Sequence, residues 1–161
     1  MRHPALVPLS HDHHHGLALA LRCRKQALGQ IKPTGLEGLK ERAAELRDFF
    51  VKNLVPHFLA EEEALFPAMR TAVPGCDEMI RELIKDHERI RSATAALDTD
   101  TGLGKVVFDL GDLLERHIRK EERELFPLFE KYLSAEDATA VREKIKNILS
   151  RPAEPGTLSP R

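Results

Sequence analysis

The chain has 161 residues, 42% of them apolar and 32% charged, which is enough for one domain with a sizeable core and too little for two ordinary ones. Lysine and arginine number 25 against 26 aspartates and glutamates, so a basic-patch binder of nucleic acid or of a membrane surface is excluded as a first expectation. Two distant cysteines, Cys23 and Cys76, can build neither a disulfide framework nor a thiolate zinc motif, and no apolar run reaches the length of a signal or spanning segment. The expected compartment is the cytoplasm.

Residues 1–9, with Pro4 and Pro8, are expected as an extended lead-in. A first helix should start near Ser10, an acceptable N-cap, and carry Leu17, Leu21 and Leu28 at helical spacing until Pro33 and Gly35 break the pattern. A second is expected from about Leu36 to Met69, with Leu46, Phe50, Leu54, Leu65 and Met69 on one side. Pro56 should kink it, and Pro67 should add an irregularity near its end. Ile80, Leu83, Ile84, Ile90 and Leu97 predict a third helix from about Asp77 to Leu97. Val106, Leu110, Leu114, Leu125 and Leu128 predict a fourth over roughly 103–132. Ser134 and Asp137 resemble a capping box for a short fifth helix to about Leu149, after which the tail, 151–161, is expected to be disordered. The expectation is an all-α, up-down-up-down four-helix bundle over residues 1–150, with the short C-terminal fifth helix as an appendage.

A duplicated string carries the chemistry. His57, Glu61, Glu62, Leu65, Phe66 and Pro67 recur sixty residues later as His117, Glu121, Glu122, Leu125, Phe126 and Pro127. In each copy the histidine and the first glutamate are four apart, one above the other on a helix face. Both pairs continue an apolar stripe, Leu46, Phe50, Leu54 in one helix and Leu110, Leu114 in the other, so both are expected to point inward. His87 lies on the face of Ile80, Leu83 and Ile90 and is a third inward group. In the cluster His11 to His15, His13 and His14 align best with Leu17 and Leu21, and one or both should complete the set. Glu62 and Glu122 lie about 100° around the helix from these faces and are expected to be solvated or outer groups. Phe58, Phe66 and Phe126 are expected to pack around the site and exclude water.

Burying two carboxylates and several imidazoles costs several kcal/mol per charge, on the order of magnitude of desolvation, unless something neutralises them. A metal does so, taking neutral imidazole nitrogens and anionic carboxylates, and a carboxylate on each of two facing helices can bridge a pair of ions. Without a thiolate among the candidates the set favours iron, with manganese or zinc able to occupy the same ligands.

These residues resemble the hemerythrin-like HHE cation-binding family over about residues 9–132: a histidine cluster on the first helix, H-x-x-x-E on the second, Asp86-His87-Glu88 on the third, and H-x-x-x-E-E-x-x-L-F-P on the fourth. The resemblance implies a non-haem di-iron centre inside a four-helix bundle that binds dioxygen, nitric oxide or iron itself. It implies as ligands His57, His87, His117, the bridging Glu61 and Glu121, and a first-helix histidine, His13 or His14 or both. The chain departs from oxygen-carrying hemerythrins where Arg91 occupies the place of a second third-helix histidine, and where the last pair is H-x-x-x-E in place of H-x-x-x-x-D. Fewer nitrogen ligands mean more open metal positions, which also admits an enzyme reducing peroxide or nitric oxide, or donating iron for iron–sulfur repair. Ferritin-like bundles use E-x-x-H, a different order and spacing. The expected partner is a small ligand, dioxygen or nitric oxide, with no nucleic acid and no membrane.

Overall fold

The computed structural model describes residues 1–152, and among them there is no strand. Helix α1 is Val7–Ala27, and α2 is a continuous right-handed rod over 35–72. Helix α3 is Asp77–Ala95, α4 is a second continuous rod over 103–132, and α5 is Ala135–Leu149. Helices α1 to α4 form the up-down-up-down bundle. No helix among the described residues is long and apolar enough to cross a membrane. Of the tail expected to be disordered, 151–161, residues 153–161 lie outside the described residues.

Helix α1 starts three residues before Ser10. Pro8 sits in its first turn, where the missing N–H would have no intrahelical partner in any residue, so the proline opens the helix instead of preceding it. The lead-in is not extended either, because a turn places Ala5, Leu6 and Leu9 in the core. The buried face of α1 is also rotated from the expected stripe. Leu21 and Leu28 are exposed, whereas Leu9, His13, Gly16, Ala20 and Cys23 are buried. Small residues carry this face because α1 and α4 pack closely. A Cβ on Gly16 would stand 2.7 Å from Ile118 Cδ1, and one on Gly111 would stand 2.9 Å from Cys23 Cβ.

The internal prolines of the two rods are absorbed by π turns. In α2 these span Phe50–Leu54 and Glu61–Leu65, and in α4 the turn is Glu121–Leu125, each ending two residues before Pro56, Pro67 or Pro127. Proline lacks an N–H and crowds the carbonyl four residues back. Widening the preceding turn relieves that crowding, and the residue before each proline donates five residues back: Val55 to Phe50, Phe66 to Glu61 and Phe126 to Glu121. The expected kink at Pro56 is thus an extra residue in the turn, and the backbone stays in the right-handed helical region.

Helix α5 begins as expected, with Ser134 Oγ accepting the N–H of Asp137 at 3.1 Å. It is more than an appendage. Ala138, Val141, Ile145 and Ile148 are buried in one core with Leu6, Phe66, Phe126 and Phe129. A second core, with Leu19, Cys23, Phe50, Phe58, Ile90 and Leu114, fills the other end of the bundle. Each of the four bundle helices passes from one core to the other, and at the crossing it carries a buried histidine, a buried glutamate or both.

The loop between α1 and α2 is held by Gln26, whose buried amide donates to the carbonyl oxygens of Pro33 at 2.8 Å and Ile31 at 3.2 Å. A Cβ on Gly38 would lie 1.8 Å from Pro33 O and 2.3 Å from Gln26 Nε2. Gly38→Ala is therefore expected to lower stability by about 1–3 kcal/mol or more. The change should come despite the gain of roughly 1 kcal/mol that alanine brings to a helix interior. Thermal unfolding of the variant checks this, and an unchanged or raised Tm would contradict the close packing.

Candidate metal centre

Between the two cores lie His13 on α1, His57 and Glu61 on α2, His87 on α3, and His117 and Glu121 on α4, all buried. Their ligating atoms form two overlapping groups. One is His13, His57, Glu61 and Glu121, the other is Glu61, His87, His117 and Glu121, and within each the atoms lie within 4.8 Å of one another. Both glutamates belong to both groups. Glu121 Oε1 is 2.9 Å from His13 Nε2 and 3.6 Å from His117 Nε2. Glu61 Oε1 is 3.1 Å from His87 Nε2 and 3.5 Å from His57 Nε2.

A second carboxylate stands behind each imidazole. Nδ1 of His57 donates to Asp12 Oδ2 at 3.0 Å, and Nδ1 of His117 to Asp86 Oδ2 at 3.2 Å. Nδ1 of His87 donates to Glu62 Oε2, and Nδ1 of His13 to Glu122 Oε2, each at 2.6 Å. A hydrogen held on Nδ1 leaves the Nε2 lone pair of a neutral ring facing the interior, the tautomer a metal ligand needs. The outer carboxylates are anchored in turn. Glu122 accepts from Ser10 Oγ at 2.7 Å and pairs with Arg2 at 3.1 Å, while Glu62 pairs with Arg91 at 3.1 Å. Phe58 stacks on His87 with centroids 3.8 Å apart, and Phe126 stacks on His13 at 5.4 Å, closing the faces of those rings.

The charges show what this layer requires. Burial disfavours the imidazolium of His57, but the Glu61 carboxylate and the bond to Asp12 outweigh it and push the group up to about 10. Burial likewise opposes the charge on His87, and its bonds to Glu61 and Glu62 raise it to about 9. His13 is also raised, the pull of burial being overcome by Glu121 and Glu122. Glu61 and Glu121 move apart. Burial raises both, but the charge of His57 holds Glu61 well below the usual carboxylate range, while burial and the nearby Glu61 charge hold Glu121 above it. Among the described residues, Glu61 Oε2, Glu121 Oε2 and His117 Nε2 are buried polar atoms without a hydrogen-bond partner, and all three belong to this cluster. Unpaired buried groups of this kind each cost about 1–3 kcal/mol. A cation between the two glutamates would satisfy them with nitrogen and oxygen donors only.

The structure brings together six of the seven residues expected from the sequence. His14 is the exception: it is exposed on α1, whose inward face carries His13 followed by Gly16 and Ala20, so of the two first-helix candidates His13 alone joins the cluster. Of the four outer carboxylates, Glu62 and Glu122 take the outer of the two places expected for them, whereas Asp12 and Asp86 were not expected at the site. Glu62 and Glu122 seemed to face away because an α-helix turns about 100° per residue, but both lie in π turns, where more residues share a turn and successive side chains diverge less. Asp12 and Asp86 had a readable signal. Asp12-His13 recurs as Asp86-His87, 74 residues on, with Leu9 recurring as Leu83, a shorter match than that of the second and fourth helices.

Residues 6–146 match a family model described as the hemerythrin HHE cation binding domain. No curated protein and no solved structure matches the chain.

Proposed function

From the premise that the chain belongs to the hemerythrin HHE cation-binding family, we propose that it holds two non-haem iron ions and binds dioxygen or nitric oxide there, in transport, storage or sensing. The observation that supports this most is that Glu61 and Glu121 belong to both groups of ligating atoms, so that each carboxylate could serve both ions. His13 and His57 would serve one ion, and His87 and His117 the other. Manganese or zinc would fit the same donors. A bound pair of irons supplies the electrons that reversible binding of either gas draws on.

The chain's own part is positional. Asp12, Glu62, Asp86 and Glu122 hold the imidazoles in the ligating tautomer, and ligands fixed in this way lose about 10–100-fold in metal affinity when such a partner is removed. Phe58, Phe66 and Phe126 exclude water from the layer. Arg91 contributes no ligand and instead pairs with Glu62 and lies over the Phe58 ring at 5.6 Å. Four imidazoles and two carboxylates leave metal positions to exogenous ligands, which also favours the second reading, an enzyme reducing peroxide or nitric oxide.

Metal content per chain of untagged protein, with visible spectra of the reduced form before and after exposure to each gas, tests both readings. Two irons per chain and a spectral change reversed by removing the gas are expected. Sustained turnover of peroxide or nitric oxide would transfer the assignment to the enzyme, and a well-folded protein that takes up no metal would refute both.

A further inference from the structure

The outer face of α1 presents ligating nitrogens that the buried layer does not use. His11 and His15 are exposed, one turn apart, with rings nearly perpendicular at 83° and Nε2 atoms 3.3 Å from each other. Two ligand nitrogens of a tetrahedral ion with bonds near 2.0–2.1 Å stand about 3.3–3.4 Å apart, so this pair already has that separation, and it lies only about 0.5 Å outside the cis spacing of a tetragonal ion, a shift that two exposed side chains can make. Helical spacing produces it without strain, since residues four apart lie one above the other.

The repeat within the chain shows that the fold does not need imidazoles here. The register that carries Asp12-His13 onto Asp86-His87 carries His11 and His15 onto Lys85 and Arg89. On α3 the face outside the site is thus an ordinary cationic surface, and of the two helices only α1 carries imidazole nitrogens there. The nearby cation does not oppose a bound ion strongly. Lys52, which lines the same groove as His11, is paired with Asp48 at 2.8 Å, and Asp48 lines the adjoining groove with His15.

We infer that His11 and His15 form a surface chelate for a borderline divalent transition cation of the copper(II), nickel(II) or zinc(II) class, separate from the buried layer. Water completes its coordination, and two imidazoles without carboxylates exclude calcium and magnesium as its preferred ions. This site stands whether or not the buried layer binds iron.

Copper(II) titrated into the untagged full chain, followed by low-temperature electron paramagnetic resonance, tests the chelate. Beyond any copper retained by the buried groups, one readily removed equivalent with splitting from two imidazole nitrogens is expected. His11→Gln or His15→Gln should weaken it roughly a hundredfold, the loss expected when a two-point attachment becomes a single one. His14→Gln, at the exposed neighbour, should leave it unchanged. Metal retained by the buried groups, assayed after removal of loosely held copper, should be the same in all three variants, so the two sites fail separately. A spectrum with one nitrogen, or one unaltered in His15→Gln, would overturn the inference.

Discussion

Replacing Glu121 by glutamine is expected to strip at least one of the two ions while leaving the metal-free fold within about 1 kcal/mol of the parent. The same change at Glu61 should strip metal and destabilise the metal-free fold by about 3–5 kcal/mol as well. The difference follows from the opposite electrostatics of two residues that the repeat makes equivalent. Glu121 is held towards its protonated form, and a glutamine there can still accept from His13 and donate towards Glu61. Glu61 is the anion that faces His57 and His87, both buried and both raised. Its amide would leave two imidazoliums without their inner partner. Neither amide replaces a bridging anion, so both variants should lose metal. Metal analysis after desalting and urea unfolding of the metal-free proteins check the pair. Full metal content in Glu121→Gln would sink the two-ion assignment, and equal stability of the two metal-free variants would sink the charge distribution.

The second large effect is a reversal with pH. His57 and His87 have folded values of about 10 and about 9 against an ordinary 6.5 in the metal-free protein. A raised histidine contributes stability that is fully present below 6.5 and is lost as pH rises through its folded value. The metal-free protein should therefore lose stability between pH 7 and 10. Metal affinity should run the other way. A ligand imidazole must be neutral, so loading near pH 7 expels the protons of both residues, and since His57 and His87 serve different ions, the affinity for each ion should rise about 10-fold per pH unit until its histidine deprotonates. Proton release measured on loading in weakly buffered solution, together with Tm values for both forms, checks the signs. A metal affinity flat from pH 7 to 9, or a metal-free protein most stable at pH 9, would contradict the ion pairing seen around His57 and His87.

The number and order of helices were legible because each carries an apolar spacing of three or four over several turns, and the site's core was legible because its two halves repeat. His57 with Glu61 and His117 with Glu121 could be placed inward from one stripe each, and so could His87 between Leu83 and Ile90. Helix α1 was the weak point. Leu21 and Leu28 are exposed, and the buried face joins Leu9 and Leu19 through the small residues Gly16, Ala20 and Cys23, so the leucine spacing points to the wrong side. The choice between His13 and His14 turned on that face.

The sequence by itself determined the bundle and the inner residues of its second, third and fourth helices, since periodicity and repetition are properties of the chain alone. The tertiary structure decided what surrounds them. The rotation of α1 depends on how closely a small-residue face can approach Gly111 and Ile118 on α4. The inward turn of Glu62 and Glu122 depends on π turns that the following prolines call for. The outer partners Asp12 and Asp86 act across helices, on His57 and His117, and not on the histidines beside them in sequence. A helical pattern reports one face of one helix, whereas a hydrogen bond between helices exists only once their relative rotation is set.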